Sequence, residues 1–229
     1  VLTLEGLQII QDDFRLCADW KVAKGTRVAI IGPSGGGKST LLAAICGFTP
    51  ATGRVLWDGA GLDALAPGKR PIAMLFQDQN LFPHLTAAQN VGLALSQKRL
   101  TTDQQMRVAQ ALARVGLEGF EGRKPAQLSG GQQSRVALAR LLLQDRPLWL
   151  LDEPFAALGP GLRSEMLALV HQIALEMGAT VLMVTHDPED ARKFAQMIVV
   201  VDQGVAQAPR DVDEVFANPD QALQDYLGR

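Results

Sequence analysis

Apolar and polar positions follow two rhythms along the chain. Residues 1 to 31 alternate short β-type segments with turns, as in "VLTLEGLQII" and "FRLCADWKV". A period of two marks a half-buried strand, and the unbroken apolar run "RVAII" (Arg27 to Ile31) reads as a fully buried one. "GRVLWDG", residues 53 to 59, predicts a further strand closing on an Asp-Gly turn. Together these segments predict a small antiparallel sheet, and "PIAMLFQ" (Pro71 to Gln77) predicts another buried strand. From about Asp78 to Gln144 the rhythm becomes helical. There "TTDQQMRVAQALARVGL" predicts an amphipathic helix opened by a capping box of Thr102 with Gln105. Strands return in "PLWLLDE", "TVLMVTHD" and "MIVVVDQG", separated by the helical run "RSEMLALVHQIALEMG". Buried strands alternating with helices predict an α/β fold with a parallel sheet. Residues 1–229 then form a single domain, with a helical subdomain at approximately 78–144 inserted into the sheet.

One stretch fits neither rhythm. "GPSGGGKST" runs through Gly32, Pro33, Ser34, Gly35, Gly36, Gly37, Lys38, Ser39 and Thr40. So many glycines would weaken a helix interior, and the proline would break a central strand. It lies between the strand "RVAII" and "STLLAAICGF", whose Leu41, Leu42, Ile45 and Phe48 stand at near-helical spacing. Between a strand and a helix, the spacing Gly32-x-x-x-x-Gly37-Lys38-Ser39 is that of a nucleoside-triphosphate loop. Glycines let successive backbone N–H groups face phosphate oxygens, and the helix N-terminus adds partial positive charge. Lys38 is placed to bridge the β- and γ-phosphates, and the Ser39 hydroxyl to ligate Mg2+.

Composition narrows the setting. With 229 residues, 47% hydrophobic and 20% charged, and a formal net charge of −2, the chain has the profile of an ordinary soluble domain. The near-neutral balance gives no support to nucleic-acid binding. Its longest apolar runs are of strand length, so no membrane span is expected. No signal peptide is visible and two cysteines, Cys17 and Cys46, are too few for a disulfide scaffold, so a cytoplasmic location is expected.

"PLWLLDEP" places Asp152 and Glu153 at the end of an apolar strand, the sheet edge where open α/β folds bind ligands. Asp152 is expected to hold Mg2+, and Glu153 to face the γ-phosphate and polarise the attacking water. His186 ends the next strand and is expected to touch the γ-phosphate, whereas His84 has no such context and His171 is expected on a helix surface. "LSGGQQSRVALARLLL" adds a second phosphate site. Ser129 and Gln132 form a capping box, and Gly130 and Gly131 bare the amides of a helix's first turn. A single nucleotide cannot easily reach both sites within one copy. Two copies facing head to tail resolve this, each loop completed by the other's Ser129 helix.

In these motifs the whole chain resembles the ATP-binding subunits of ABC transporters. By that resemblance residues 32 to 40 are the Walker A motif, "LSGGQ" the signature and "LWLLDE" Walker B. Gln77 corresponds to the glutamine that touches Mg2+ and the attacking water, and His186 to the switch histidine. The resemblance implies a homodimer that closes on two ATP and opens after hydrolysis. It also implies transmembrane permease subunits, a periplasmic solute-binding protein acting indirectly, and a peripheral place on the cytoplasmic face of a bacterial inner membrane. "KRPIAMLFQDQNLFPHLTAAQNVGLAL" (Lys69 to Leu95) is most similar to thiamine importers, and also resembles iron(III), sulfate and polyamine importers. The latter usually carry an added C-terminal domain, for which a chain ending at Arg229 is short; this favours thiamine.

Two positions depart from the family pattern. Gln11 stands near the place of an adenine-stacking aromatic, with Phe14 close by, and "AALG" (Ala156 to Gly159) lacks the usual cross-dimer aspartate. A soluble ABC ATPase or a P-loop phosphotransferase remains as an alternative. Against both stands "NLFPHLT" (Asn80 to Thr86), which reads either as a groove for a membrane subunit or as ordinary core.

Overall fold

The computed structural model describes residues 1–78, 80–219 and 223–224 of the chain. In chain order its elements are β1 (Leu2–Gln11), β2 (Phe14–Val22), β3 (Arg27–Ile31), α1 (Lys38–Cys46), β4 (Thr52–Trp57), β5 (Ala60–Gly61) and β6 (Ile72–Leu75). Then follow α2 (Ala87–Gly92), α3 (Thr102–Arg114), α4 (Gly130–Leu143), β7 (Leu148–Asp152), α5 (Pro160–Met177) and β8 (Thr180–Val184). The chain continues through α6 (Pro188–Phe194), β9 (Met197–Asp202), β10 (Val205–Ala206), β11 (Arg210–Asp211) and α7 (Val212–Ala217). They divide into two compact units, one of residues 1–72, 147–152 and 174–229, the other of residues 73–146 and 153–173. Among the described residues no helix is long and apolar enough to cross a membrane.

The first unit is a mixed sheet, ordered β5-β4-β1-β2-β10-β9-β3-β8-β7 with β11 beside β9. β1, β2, β4 and β5 are the antiparallel part, bent where the β1 register shifts between Leu4 and Leu7. β3 lies between β8 and β9, parallel to both, and β7 continues the parallel set beside β8. These central strands are buried along nearly their whole length, which is why they read as unbroken apolar runs. The register aligns Ile30 and Asp152 with the same residue, Val184. The loop after β3, the end of β7 and the turn after β8 thus share one carboxyl edge.

The second unit contains α2, α3 and α4 and most of α5. α3 buries Val108, Ala111 and Leu112, and its capping box uses Thr101 with Gln104, one residue earlier than Thr102 with Gln105. "TTDQQ" offers both registers, and the earlier one adds a residue to the helix. His171 also departs from expectation: it is half-buried, on the α5 face of Leu167 and Ala174. Phe48 is 56% exposed, because α1 stops at Cys46. Gly47 takes a left-handed φ of 85° and the Phe48 amide turns back to the Ala43 carbonyl, a C-terminal stop that puts Phe48 outside the helix.

Candidate functional site

Two of the loop's glycines, Gly32 and Gly37, are required by what surrounds them, and Gly36 is tightly placed. A Cβ on Gly32, at φ +144°, would lie 2.1 Å from the Val201 carbonyl oxygen of β9. On Gly36 it would meet the Pro33 carbonyl at 3.1 Å, and on Gly37, at φ +96°, the Phe14 ring at 2.4 Å. Gly35, at φ +77°, has open space around it and needs glycine for its backbone conformation alone. The loop is therefore closed in by β9 on one side and β2 on another.

Within it the Lys38 ammonium donates to the Gly32 and Pro33 carbonyls, both at 2.9 Å, so the cation is held across the loop. Lys38 is nevertheless buried as a residue, which confines its position. Ser39 Oγ donates to Asp152 Oδ1 at 2.8 Å, joining residues 113 apart in sequence. His186 is exposed just beyond β8, before Asp187, whose carboxylate caps α6 by accepting from the Glu189 amide at 2.9 Å. Lys38, Ser39, Asp152 and His186 thus belong to the first unit and to one edge of its sheet.

Gln77, Glu153 and the residues from Ser129 to Gln132 belong to the second unit. Gln77 is exposed past the end of β6, and Glu153 is half-buried with a left-handed φ of 44°. At the N-terminus of α4, Ser129 Oγ accepts from the Gln132 amide at 3.3 Å and Gln132 Oε1 accepts from the Ser129 amide at 3.0 Å. That reciprocal box leaves the first-turn amides of Gly130 and Gly131 pointing out along the helix axis, an anion-binding arrangement. The two glycines differ: Gly130 is exposed, whereas a Cβ on Gly131 would come within 2.3 Å of Leu162 Cδ2 on α5.

The segment from Asn80 to Thr86 has an organiser that the sequence reading missed. Asn90 is fully buried; its Nδ2 donates to the carbonyls of Phe82, Leu85 and Thr86, and its Oδ1 accepts from the Phe82 amide. An asparagine on the buried face of a short helix was the available signal. Phe82 itself is 46% exposed, with the His84 ring edge-on at 6.0 Å, so this phenylalanine is not core.

Arg70 was also missed. It is buried, and its guanidinium donates to the carbonyls of Leu65, Ala44 and Ile45, the last two at the C-terminal end of α1. Burial pulls its pKa below the ordinary value, while nearby Asp63 acts in the opposite sense.

Comparison with known proteins identifies the family. A family model described as ABC transporter matches residues 17–156. Curated relatives include the thiamine import ATP-binding protein ThiQ of Cereibacter sphaeroides, 59% identical, and that of Ruegeria sp., 54% identical, each matched over 100% of both chains. ThiQ of Jannaschia sp. is 47% identical over 99% of this chain and 100% of its own. Among solved structures, the dimeric post-hydrolysis state of the cassette MJ0796 bound to ADP and Pi superposes with a TM-score of 0.79 at 31% identity, covering 93% of this chain and 99% of that one. The solved structure of cbiO1 from Clostridium perfringens, part of the ABC transporter complex cbiONQ, gives a TM-score of 0.83 at 30% identity, covering 95% of this chain and 91% of that one. A glycine loop shaped by its neighbours, a serine–aspartate bond across the sheet edge and full-length relatives of one kind lead to one placement: the chain belongs to the ABC transporter family, as an ATP-binding cassette.

Proposed function

We propose that the chain is the ATP-binding and ATP-hydrolysing subunit of an ABC importer for thiamine, working as a homodimer around two ATP. The observation that carries the nucleotide reading is the first unit's sheet edge, where Lys38 spans the glycine loop and Ser39 meets Asp152. Full-length relatives named for thiamine import support the solute.

In this reading the Lys38 ammonium exchanges its two carbonyl partners for β- and γ-phosphate oxygens. Loop amides and the first turn of α1 supply the remaining donors. The donor set fits Mg2+: a hydroxyl and a carboxylate, with the Gln77 amide oxygen added by the family resemblance, are hard oxygen ligands. Ser39, Asp152 and Gln77 would hold the ion through these oxygens. When bound, Mg2+ neutralises charge on the β- and γ-phosphate oxygens. Glu153 accepts a proton from the water that attacks the γ-phosphorus, as the bond from that phosphorus to the ADP oxygen breaks and ADP and phosphate leave. His186 hydrogen-bonds the γ-phosphate, and the Ser129, Gly130, Gly131 and Gln132 turn of the second copy binds it from the opposite side. Helical residues at approximately 78–144 act as a subdomain, and the exposed Phe82 and His84 face a transmembrane permease subunit. The cassette then works at the cytoplasmic face of the bacterial inner membrane, while a periplasmic protein delivers the solute.

Nucleotide titration and phosphate release test the chemistry. Lys38→Ala should nearly abolish Mg·ATP binding, and Glu153→Gln should bind ATP as a dimer while hydrolysing it about 10²–10⁴-fold more slowly, the size of a general-base effect. Unchanged affinity in the first, or near-normal turnover in the second, would remove that residue from the site. Phe82→Asp should spare ATPase activity in the isolated subunit and abolish co-purification with the permease and thiamine uptake. Normal uptake would sink the docking assignment.

A further inference from the structure

α1 starts without a side-chain cap: its first turn hangs on Gly37, held at φ 96° and ψ 14° with no hydrogen bond from a capping side chain. Glycine visits many conformations at little penalty, so a left-handed glycine needs outside help to keep one. That help comes from β2. The Phe14 Cζ and Cε2 atoms stand 2.4 Å and 3.0 Å from where a Gly37 Cβ would be, and Leu16 Cδ2 stands at 3.3 Å. The ring thus fills the side of Gly37 that a larger residue would occupy, with its rim, not its face, against the loop backbone. Gly37 also gives the carbonyl that accepts from the Leu41 amide at 2.8 Å, the first bond of the helix. The next residue is Lys38.

We propose that Phe14 is a positioning residue of the phosphate loop: its ring rim, packed on Gly37, holds the turn that aims Lys38 and the first amides of α1. This rests on the nucleotide reading above and deepens it. A residue acting in this way is felt by the phosphate chain, whereas an aromatic platform under the base is felt by the base.

The two roles separate with a ligand that has no base. The whole chain, wild type, Phe14→Val and Phe14→Leu, is titrated with Mg·ATP and with Mg·tripolyphosphate, and each variant is melted. Valine is β-branched and suits a strand as phenylalanine does, but lacks the atoms that reach Gly37. Phe14→Val should weaken both ligands by the same factor, about tenfold, equivalent to ~1.4 kcal/mol. Phe14→Leu, which reaches further, should weaken both equally and by less. Loss of ATP affinity with tripolyphosphate affinity intact would overturn the proposal in favour of a base platform. A lower melting temperature with both affinities unchanged would overturn it in favour of plain core packing. A wild-type chain that binds neither ligand would instead refute the nucleotide reading, and this inference with it.

Discussion

Arg70→Met removes three donated hydrogen bonds while keeping most of the side-chain stem. The Ala44 carbonyl keeps a second partner, the Gly47 amide at 3.0 Å, so its loss is small. The Ile45 carbonyl takes Nη1 at 2.6 Å and the Leu65 carbonyl takes Nε at 3.2 Å. A hydrogen bond to a charged group contributes about 1.5–3 kcal/mol, and leaving a buried partner unmet forfeits that and its solvation. The buried bond to Ile45 and the part-buried bond to Leu65 together set the expected loss at about 3–6 kcal/mol. For a chain of this size that lowers the melting temperature by about 6–24 °C. Arg70→Lys keeps the cation at the helix C-terminus, which is worth only about 0.3–1 kcal/mol, but lacks the planar fork whose separate Nε and Nη1 reach the Leu65 carbonyl and the α1 carbonyls. It should therefore recover the smaller part of the loss. Urea unfolding of the three proteins measures this, with ATP affinity at low temperature unchanged because the contacts lie at the far end of α1. A loss below about 1 kcal/mol in Arg70→Met, or full recovery by lysine, would refute the capping argument.

Gly131→Ala should destabilise by about 1–3 kcal/mol through overpacking against Leu162, while Gly130→Ala should cost nothing, its Cβ meeting Leu158 at an ordinary 3.7 Å; equal urea midpoints would refute the distinction. Burial pushes the Cys46 thiol up to about 12, so at pH 8 an alkylating reagent should label exposed Cys17 and reach Cys46 only after unfolding, as mass spectrometry would show. Labelling of Cys46 in the native protein would contradict its burial. Gly159 gives the carbonyl that accepts from the Arg163 amide, has open space around it and has no left-handed φ, so aspartate fits there as a helix cap. Gly159→Asp on the Glu153→Gln background should tighten the ATP-bound dimer by about 1 kcal/mol in sedimentation, and an unchanged dimer would exclude a carboxylate link at this position.

The central strands were legible because burial on both faces leaves an unbroken, β-branched apolar run of strand length. The glycine loop was legible for a different reason: spacing within nine residues encodes a backbone shape directly. Contacts made across long sequence separations were not. Nothing local to Val201 says that its carbonyl stands where a Gly32 side chain would be, and nothing near Arg70 says that it closes α1. The end of α1 was readable and was misread, since Gly47 is the residue type that stops helices. The capping-box register was not readable, because adjacent threonines and adjacent glutamines satisfy the same pattern twice. Of the candidate site, residue types were visible and partners were not. Ser39 and Asp152 each suggested a metal ligand, but their direct bond is a product of sheet register.

In the proposed mechanism the left-handed backbone at Glu153 sets stability against activity at one position. Among the described residues the other non-glycine positions with positive φ are Asp12, Asp58, Asn80, Asp145 and Gln203, four of them short side chains that tolerate this region. Glutamate has no such advantage, and the conformation costs it about 1–2 kcal/mol. Asparagine would relieve much of that strain while deleting the carboxylate. Glu153→Asn should therefore melt higher than Glu153→Gln, although both lose hydrolysis if Glu153 is the proposed base. Laboratory selection for heat resistance alone would then push this residue toward an inactive cassette, so a thermostable variant of the protein is best sought elsewhere in the chain.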